Sequence, residues 1–102
     1  MIHVVAIITT APGQRAEVLE AFRAIVPTVH EEEGCIEYRP VLDADGAEGV
    51  ETAVGPDTFL VIEKWASLAD LQAHSAAPHM QAYGGQVGHL VIGRAVHVLQ
   101  DA

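Results

Sequence analysis

The chain has 102 residues, half of them apolar, with 5 Lys and Arg against 14 Asp and Glu and a formal net charge of −9. This length suits one globular domain with a modest core, and the composition excludes an intrinsically disordered chain. The negative charge disfavours binding to nucleic acid or to an anionic membrane surface. No apolar run approaches the roughly 20 residues of a membrane span, and the first residues lack the features of a signal peptide. We therefore expect a cytoplasmic protein.

The first half of the chain predicts a strand, a helix and a second strand. Residues 2–10 are short of polar side chains and rich in β-branched ones, which predicts a strand buried on both faces. From 14 to 33, apolar residues recur every three or four positions and predict a helix. Pro27 predicts a kink or a one-turn break, and Gly34 a helix end. Residues 35–42 then have the composition of a strand.

The second half predicts the reverse order of strand, helix and strand. Residues 43–57 are rich in Gly and Asp and predict a long, partly mobile hairpin connection to a third strand over 58–65. Ser67 is expected to cap a second helix, which Pro78 either closes or follows with another turn. A glycine-rich exit over 83–90 and a fourth strand over 91–99 complete the chain.

The element order β-α-β-β-α-β predicts an α+β fold of the ferredoxin-like type, as a single domain over residues 1–102. Helices packed on one face of such an antiparallel sheet leave its other face uncovered. Three of the four strands are nevertheless apolar at nearly every position. The sheet of a second copy would cover that face, so the pattern predicts a homodimer packed sheet against sheet.

The third strand carries the only Trp of the chain at its end. Alternation places Phe59, Val61, Glu63 and Trp65 on one face of the sheet. Trp65 could be ordinary core packing or an aromatic wall for a flat ligand, and both interpretations remain open.

Two histidines follow this Trp. His74 and His79 could cap a helix end or lie on the surface, or they could serve as a general acid or base. A metal site is the weaker hypothesis, because a spacing of five with a proline between does not bring two rings to one helical face. Tyr38 could line the same pocket or pack in the core, and the lone Cys35 is expected to be a small buried hydrophobe.

Three motifs resemble the antibiotic biosynthesis monooxygenase family, which includes quinol monooxygenases. They are Gly-Cys-x-x-Tyr at residues 34–38, Glu-x-Trp at 63–65 and His-x-x-x-Pro-His at 74–79, and the similarity runs in order along nearly the whole chain. The resemblance implies a homodimeric α+β barrel built from ferredoxin-like subunits. It also implies oxygenation of a quinol, phenol or anthrone by O₂ without metal, flavin or haem.

The resemblance also implies roles for particular residues. His74 or His79 would act as the base, with Tyr38 as a further catalytic group, and Trp65, Phe59 and Glu63 would contact the substrate. Some proteins of this fold degrade haem with an Asn, but this chain contains no Asn. An isomerase or tautomerase using the same base, or a non-catalytic small-molecule-binding stress protein, remain alternative functions.

Overall fold

The fold is a four-stranded antiparallel sheet with helices on one face, seen in a computed structural model that describes residues 1–49 and 52–102. The described elements, in chain order, are β1 (Ile2–Thr10), α1 (Arg15–His30), β2 (Cys35–Val41), β3 (Thr58–Trp65), α2 (Leu68–Ser75), α3 (Pro78–Val87), a 3₁₀ turn (Gly88–Leu90) and β4 (Val91–Leu99). The predicted strands at 2–10, 58–65 and 91–99 are confirmed, and the second strand ends one residue earlier than expected.

The strand order is β2-β3-β1-β4, with every neighbouring pair antiparallel. This is the order of a ferredoxin-like sheet, so the predicted fold class is confirmed. Val4 lies opposite Glu63 and Ala6 opposite Val61, so the central pair of strands turns these side chains toward the helices. None of the described helices is long and apolar enough to cross a membrane.

Helix α1 ends earlier than predicted, and the one-turn break that was one of the two expectations at Pro27 does not occur. The helix continues through Pro27 and ends at His30, not at Gly34. Pro27 removes only one hydrogen bond, and the neighbouring Val29 is fully buried, so packing holds this turn in helical form. Beyond the helix end, the N–H of Glu31 bonds to the carbonyl of Thr28, which tightens the last turn.

Ser67 caps α2 as predicted, because its hydroxyl accepts a hydrogen bond from the Asp70 N–H at 3.1 Å. The predicted glycine-rich exit is wrong: residues 83–87 belong to α3, which begins at Pro78. A glycine within a helix costs about 1 kcal/mol relative to alanine, and burial of Val87 against the core offsets that cost. Tertiary packing therefore overrides the local signal.

The connection between β2 and β3 contains no helix or strand in its described part, and residues 50 and 51 lie outside the described residues. Asp43 closes its base by accepting hydrogen bonds from the N–H groups of Val54 at 2.9 Å and Gly55 at 3.0 Å. These bonds lower the pKa of the Asp43 carboxyl. These bonds hold the two ends of the connection together, and Arg15 of α1 donates a further hydrogen bond to the carbonyl of Gly55 at 2.9 Å.

The core lies between the sheet and the helices, and it uses only one face of each strand. Along β3 the side chains of Phe59, Val61 and Trp65 are buried, whereas Leu60 and Ile62 on the opposite face are only half-buried. In the single chain, therefore, β1 and β3 are not buried on both faces.

Candidate active site

A cavity of about 440 Å³ lies between the sheet and helices α2 and α3. Four aromatic side chains line it, and two of them, Phe22 and Tyr38, stack with ring centroids 5.2 Å apart. Phe22 also meets Phe59 and Tyr83 edge to face, at 5.9 Å in each case. The cavity reaches β4, where Arg94 and Val96 line it and are exposed to solvent. Its walls are therefore aromatic and its mouth carries a cation.

His74 lies in the last turn of α2, is only 5% exposed and lines the cavity. Its Nδ1 donates a hydrogen bond to Oε2 of Glu32 at 2.9 Å, since an ionised carboxylate can only accept. Its Nε2 makes no hydrogen bond, and no buried side-chain nitrogen or oxygen in the described residues lacks a partner. Nε2 must therefore have accessible surface, and because His74 lines the cavity we infer that Nε2 faces it.

The ring of His74 is held between two aromatic side chains. The Trp65 ring lies 4.7 Å from it, tilted by 35°, and the Tyr38 ring meets it edge to face at 5.2 Å. The carboxylate fixes which nitrogen carries the hydrogen, and the two rings fix the plane of the imidazole. A side chain held in this way can present a lone pair in one direction, as a general base must.

His79 is brought to the same carboxylate from another element. It lies in the first turn of α3, and its Nε2 is 2.9 Å from Oε2 of Glu32. It is not among the residues that line the cavity. The spacing argument against a shared site does not apply here, because the two rings come from different helices and meet at a third residue.

Trp65 is fully buried and does not line the cavity. Its Nε1 donates a hydrogen bond to Oε1 of Glu63 at 2.9 Å. Trp65 packs against the His74 ring and provides a hydrogen-bond partner for a buried carboxyl group. The structure thus favours the core-packing interpretation of this residue, while Phe59 and Glu63 do line the cavity.

Tyr38 has almost no exposed surface, and burial raises the pKa of its hydroxyl, with a further contribution from the Glu63 carboxylate. A phenol in this state keeps its proton and acts as a hydrogen-bond donor. Burial also raises the pKa of Tyr83 to about 12. The cavity therefore combines two protonated phenols with one imidazole whose Nε2 is free.

Glu63 is a buried carboxyl in the cavity wall, and burial raises its pKa against the opposing effects of the Trp65 hydrogen bond, His74 and Arg94. A raised folded-state pKa means that the fold favours the protonated form more than the unfolded chain does. The contribution to stability is complete below the unfolded-state pKa and is lost as pH rises through the folded-state pKa. We expect Glu63→Gln to remove this pH dependence of stability, because an amide does not titrate in this pH range. The amide oxygen can still accept the hydrogen bond from Trp65.

In thermal unfolding, Glu63→Gln should therefore have a higher Tm than the wild type at about pH 8. The difference should vanish at about pH 3.5, below the ordinary Glu pKa of about 4.3. Glu20→Gln on the exposed face of α1 is the matched control, and its Tm should equal that of the wild type at both pH values. A Glu63→Gln variant that is less stable than wild type at neutral pH would contradict this prediction.

Sequence reasoning missed three residues of this site. Glu32 lies in a run of three acidic residues after α1 and reaches the site through its bond to His74. Tyr83 lies in the segment predicted as a glycine-rich exit, and Arg94 lies in a strand predicted from its apolar side chains. Residues 31–33 are all Glu, and negative charges at a helix C-terminus are unfavourable. This run could have indicated that one of the three carboxylates binds a partner from another element.

The sheet, its helices and the enclosed cavity define a ferredoxin-like α+β protein with an aromatic cavity that one buried imidazole lines. The family model for antibiotic biosynthesis monooxygenase matches residues 1–85, and the chain belongs to this family. It is 45% identical over 103 residues to "Probable quinol monooxygenase YgiN" of Escherichia coli K12, covering 98% of this chain and 97% of that protein.

Solved structures show the same fold. Rv0793 from Mycobacterium tuberculosis superposes with a TM-score of 0.79 at 26% identity, covering 99% of this chain and 94% of that one. PA3566 from Pseudomonas aeruginosa superposes with a TM-score of 0.80 at 24% identity, covering 99% and 93%. These likenesses agree with the fold, and the family-model match and the 45% identical relative confirm the expected family.

Proposed function

We propose that this protein is a monooxygenase that oxidises a quinol- or anthrone-like aromatic with O₂ and requires no cofactor. The observation that carries the proposal is His74, whose Nδ1 is bonded to Glu32 and whose Nε2 is free in an aromatic cavity. Family membership and the likeness to a protein named as a quinol monooxygenase support the same reaction class.

The cavity suits a flat aromatic substrate. Its volume of about 440 Å³ lies within the range of ligand pockets, roughly 300–1,000 Å³. Phe22, Phe59 and Tyr83 offer ring faces and edges, and a two- or three-ring quinol can bury its apolar surface against them. Tyr38 and Arg94 supply donors for the oxygen atoms of such a ligand.

In the proposed reaction, Nε2 of His74 accepts the hydroxyl proton of the substrate. The resulting imidazolium is stabilised by Glu32, to which it remains bonded through Nδ1–H. The substrate anion passes one electron to O₂, and the resulting radical and superoxide combine at a ring carbon. Protonation of this peroxide and loss of water leave one oxygen atom on carbon.

The reaction balances without any other reactant. A quinol and O₂ give a hydroxyquinone and water, and both oxygen atoms are reduced by electrons from the substrate itself. The protein's tasks are then to remove a proton, to orient the ring and to exclude water. These are tasks that the described side chains can perform.

Oxygen uptake tests the proposal. Purified protein should accelerate O₂ consumption by a naphthoquinol or an anthrone above the rate without protein, and ¹⁸O₂ should place one labelled atom in the product and one in water. Conversion of substrate without O₂ uptake would favour the isomerase or tautomerase alternative. Ligand-dependent stabilisation without turnover would favour the binding module.

We also propose that the chain forms a homodimer through the open face of its sheet. Val5 pairs with Ile62 and Ile7 with Leu60 across β1 and β3, so four apolar side chains form one patch that no described helix covers. On β4, Leu99 pairs with His3 on this same face and is 47% exposed. Burying this surface in a second copy would remove it from water.

Light scattering should therefore find a particle of about twice 10.8 kDa at micromolar concentration. A standard interface buries about 800 Å² per subunit, which makes the free monomer scarce. Ile62→Asp, in the middle of the open face, should shift the mass to that of the monomer. Ala16→Asp on the exposed face of α1 adds the same charge elsewhere and should leave the mass unchanged. A wild-type particle of 10.8 kDa would contradict the proposal.

A further inference from the structure

We propose that Glu32, His74 and His79 form a binding site for a divalent transition-metal ion of the zinc class, and that the bound ion switches off the base of the cavity. The inhibitory part rests on the function proposed above, whereas the metal site itself does not. The cluster shares His74 and Glu32 with the proposed catalytic arrangement and adds His79, and of the three only His74 lines the cavity.

The three side chains offer one ligand atom each at close range. Nδ1 of His74 and Nε2 of His79 are each 2.9 Å from Oε2 of Glu32, and all three atoms lie within 4.8 Å of one another. Ligands at the usual bond lengths to zinc, about 2.0–2.2 Å, are roughly 3.3 Å apart in a tetrahedral site. An ion would fit if the two contacts with Glu32 lengthened by about 0.4 Å and the two histidine nitrogens, which lie within 4.8 Å of each other, closed by up to about 1.5 Å. Rotation of the part-exposed His79 side chain can supply most of this movement.

The donor set selects the class of ion. Two imidazoles and one carboxylate suit zinc and neighbouring transition metals, whereas magnesium and calcium prefer oxygen ligands. Three protein ligands leave one position for water. An ion can approach from solvent past the His79 side chain, which is 27% exposed, and the Glu32 carboxylate gives the site a negative charge.

The position of the cluster indicates that the ion does not touch the substrate. Glu32 and His79 do not line the cavity, and the Nδ1 atom of His74 is the one bonded to Glu32. The ion would therefore bind behind the imidazole ring, on the side away from the free Nε2. Direct activation of O₂ or of substrate by this ion does not fit that arrangement.

Metal binding changes the group that Nε2 of His74 presents to the cavity. A neutral imidazole that binds a metal through Nδ1 carries its hydrogen on Nε2. The lone pair that would accept the substrate proton is then replaced by an N–H donor. Loading of the site therefore converts the proposed base into a group that cannot remove a proton.

Metal binding can be measured without any assay of activity. Chelator-treated protein is titrated with Zn²⁺ in competition with a chromogenic chelator, and we expect one saturable site per chain with micromolar or tighter affinity. Co²⁺ in place of Zn²⁺ should give visible ligand-field absorption of a site with nitrogen and oxygen ligands. Zinc should also raise the Tm of the wild type.

Two variants test the assignment of ligands. Each of His79→Ala and Glu32→Gln should weaken zinc binding by at least roughly 100-fold, the upper range for the loss of groups that merely support ligands. His79 is part-exposed, so its variant is expected to fold even if the Glu32 variant does not. His89→Ala removes an exposed histidine outside the cluster and should bind zinc as the wild type does. Equal affinity in all three variants, or no saturable binding, would overturn the metal site.

The inhibitory part is tested by oxygen uptake at increasing zinc occupancy. Activity should fall in proportion to the fraction of sites loaded, return on addition of a chelator, and lose its zinc sensitivity in His79→Ala. Binding without inhibition, or stimulation by Zn²⁺ or Fe²⁺, would overturn this part. If metal-free protein shows no turnover, the proposed function fails, and the binding titration still decides the metal site.

Discussion

His74→Ala is expected to lower the turnover of a reactive quinol by roughly 10²–10⁴-fold, the usual effect of removing a general base. The reason is geometric: the free Nε2 faces an aromatic cavity, while Glu32 at 2.9 Å from Nδ1 holds the ring and stabilises its protonated form. Initial rates of O₂ uptake, corrected for oxidation without protein, measure the effect. The loss should appear in kcat more than in KM, because proton removal stabilises the transition state.

Controls separate this loss from misfolding. The His74 ring is buried between Trp65 and Tyr38, so His74→Gln, which keeps more of the volume, should be compared with alanine and both checked by thermal unfolding. His89→Ala is the matched histidine control and should retain activity. Full activity in His74→Ala would place the base elsewhere. Ionisation of the substrate itself would then be the remaining route, since the raised pKa of Tyr38 makes that phenol a poor base.

Among Gly→Ala substitutions in the described loops, Gly34→Ala is expected to cause the largest loss of stability. Gly34 has a φ of +80°, which disfavours any L-residue by about 1–2 kcal/mol. A Cβ at this position would also overlap the Asp70 side chain, which is bonded to the Ser67 hydroxyl that caps α2. Overpacking of this kind adds about 1–3 kcal/mol. For a domain of this size the two effects together correspond to a fall in Tm on the order of 10–20 °C.

The chain contains its own control for the backbone contribution. Gly13 has nearly the same φ, +78°, and a Cβ there would meet nothing within 4 Å. Gly13→Ala should therefore show only the cost of the left-handed conformation, and the difference between the two variants isolates the overlap with Asp70. Adding Asp70→Ala to Gly34→Ala should recover part of the loss. Equal destabilisation by Gly13→Ala and Gly34→Ala would contradict the steric argument.

Much of the fold could be predicted from local patterns. Alternation along 58–65 identified the face that carries Phe59 and Trp65, and the β-branched runs at 2–10 and 91–99 identified two further strands. Ser67 was identifiable as a helix cap from its own chemistry. Such signals act between neighbours in the chain, so they are visible in the sequence, and together they determined the ferredoxin-like order of elements.

The site depended on contacts that no local pattern encodes. Glu32 meets His74 and His79 across 42 and 47 positions of the chain, at a junction of three separate helix ends. Gly34, which has the appearance of a helix C-cap, owes its role to the close approach of Asp70 from another element. The sequence alone therefore determined the strands, the N-cap of α2 and the candidate histidines. Only the tertiary structure decided which nitrogen faces the cavity, because that depends on which carboxylate the fold brings to the other nitrogen.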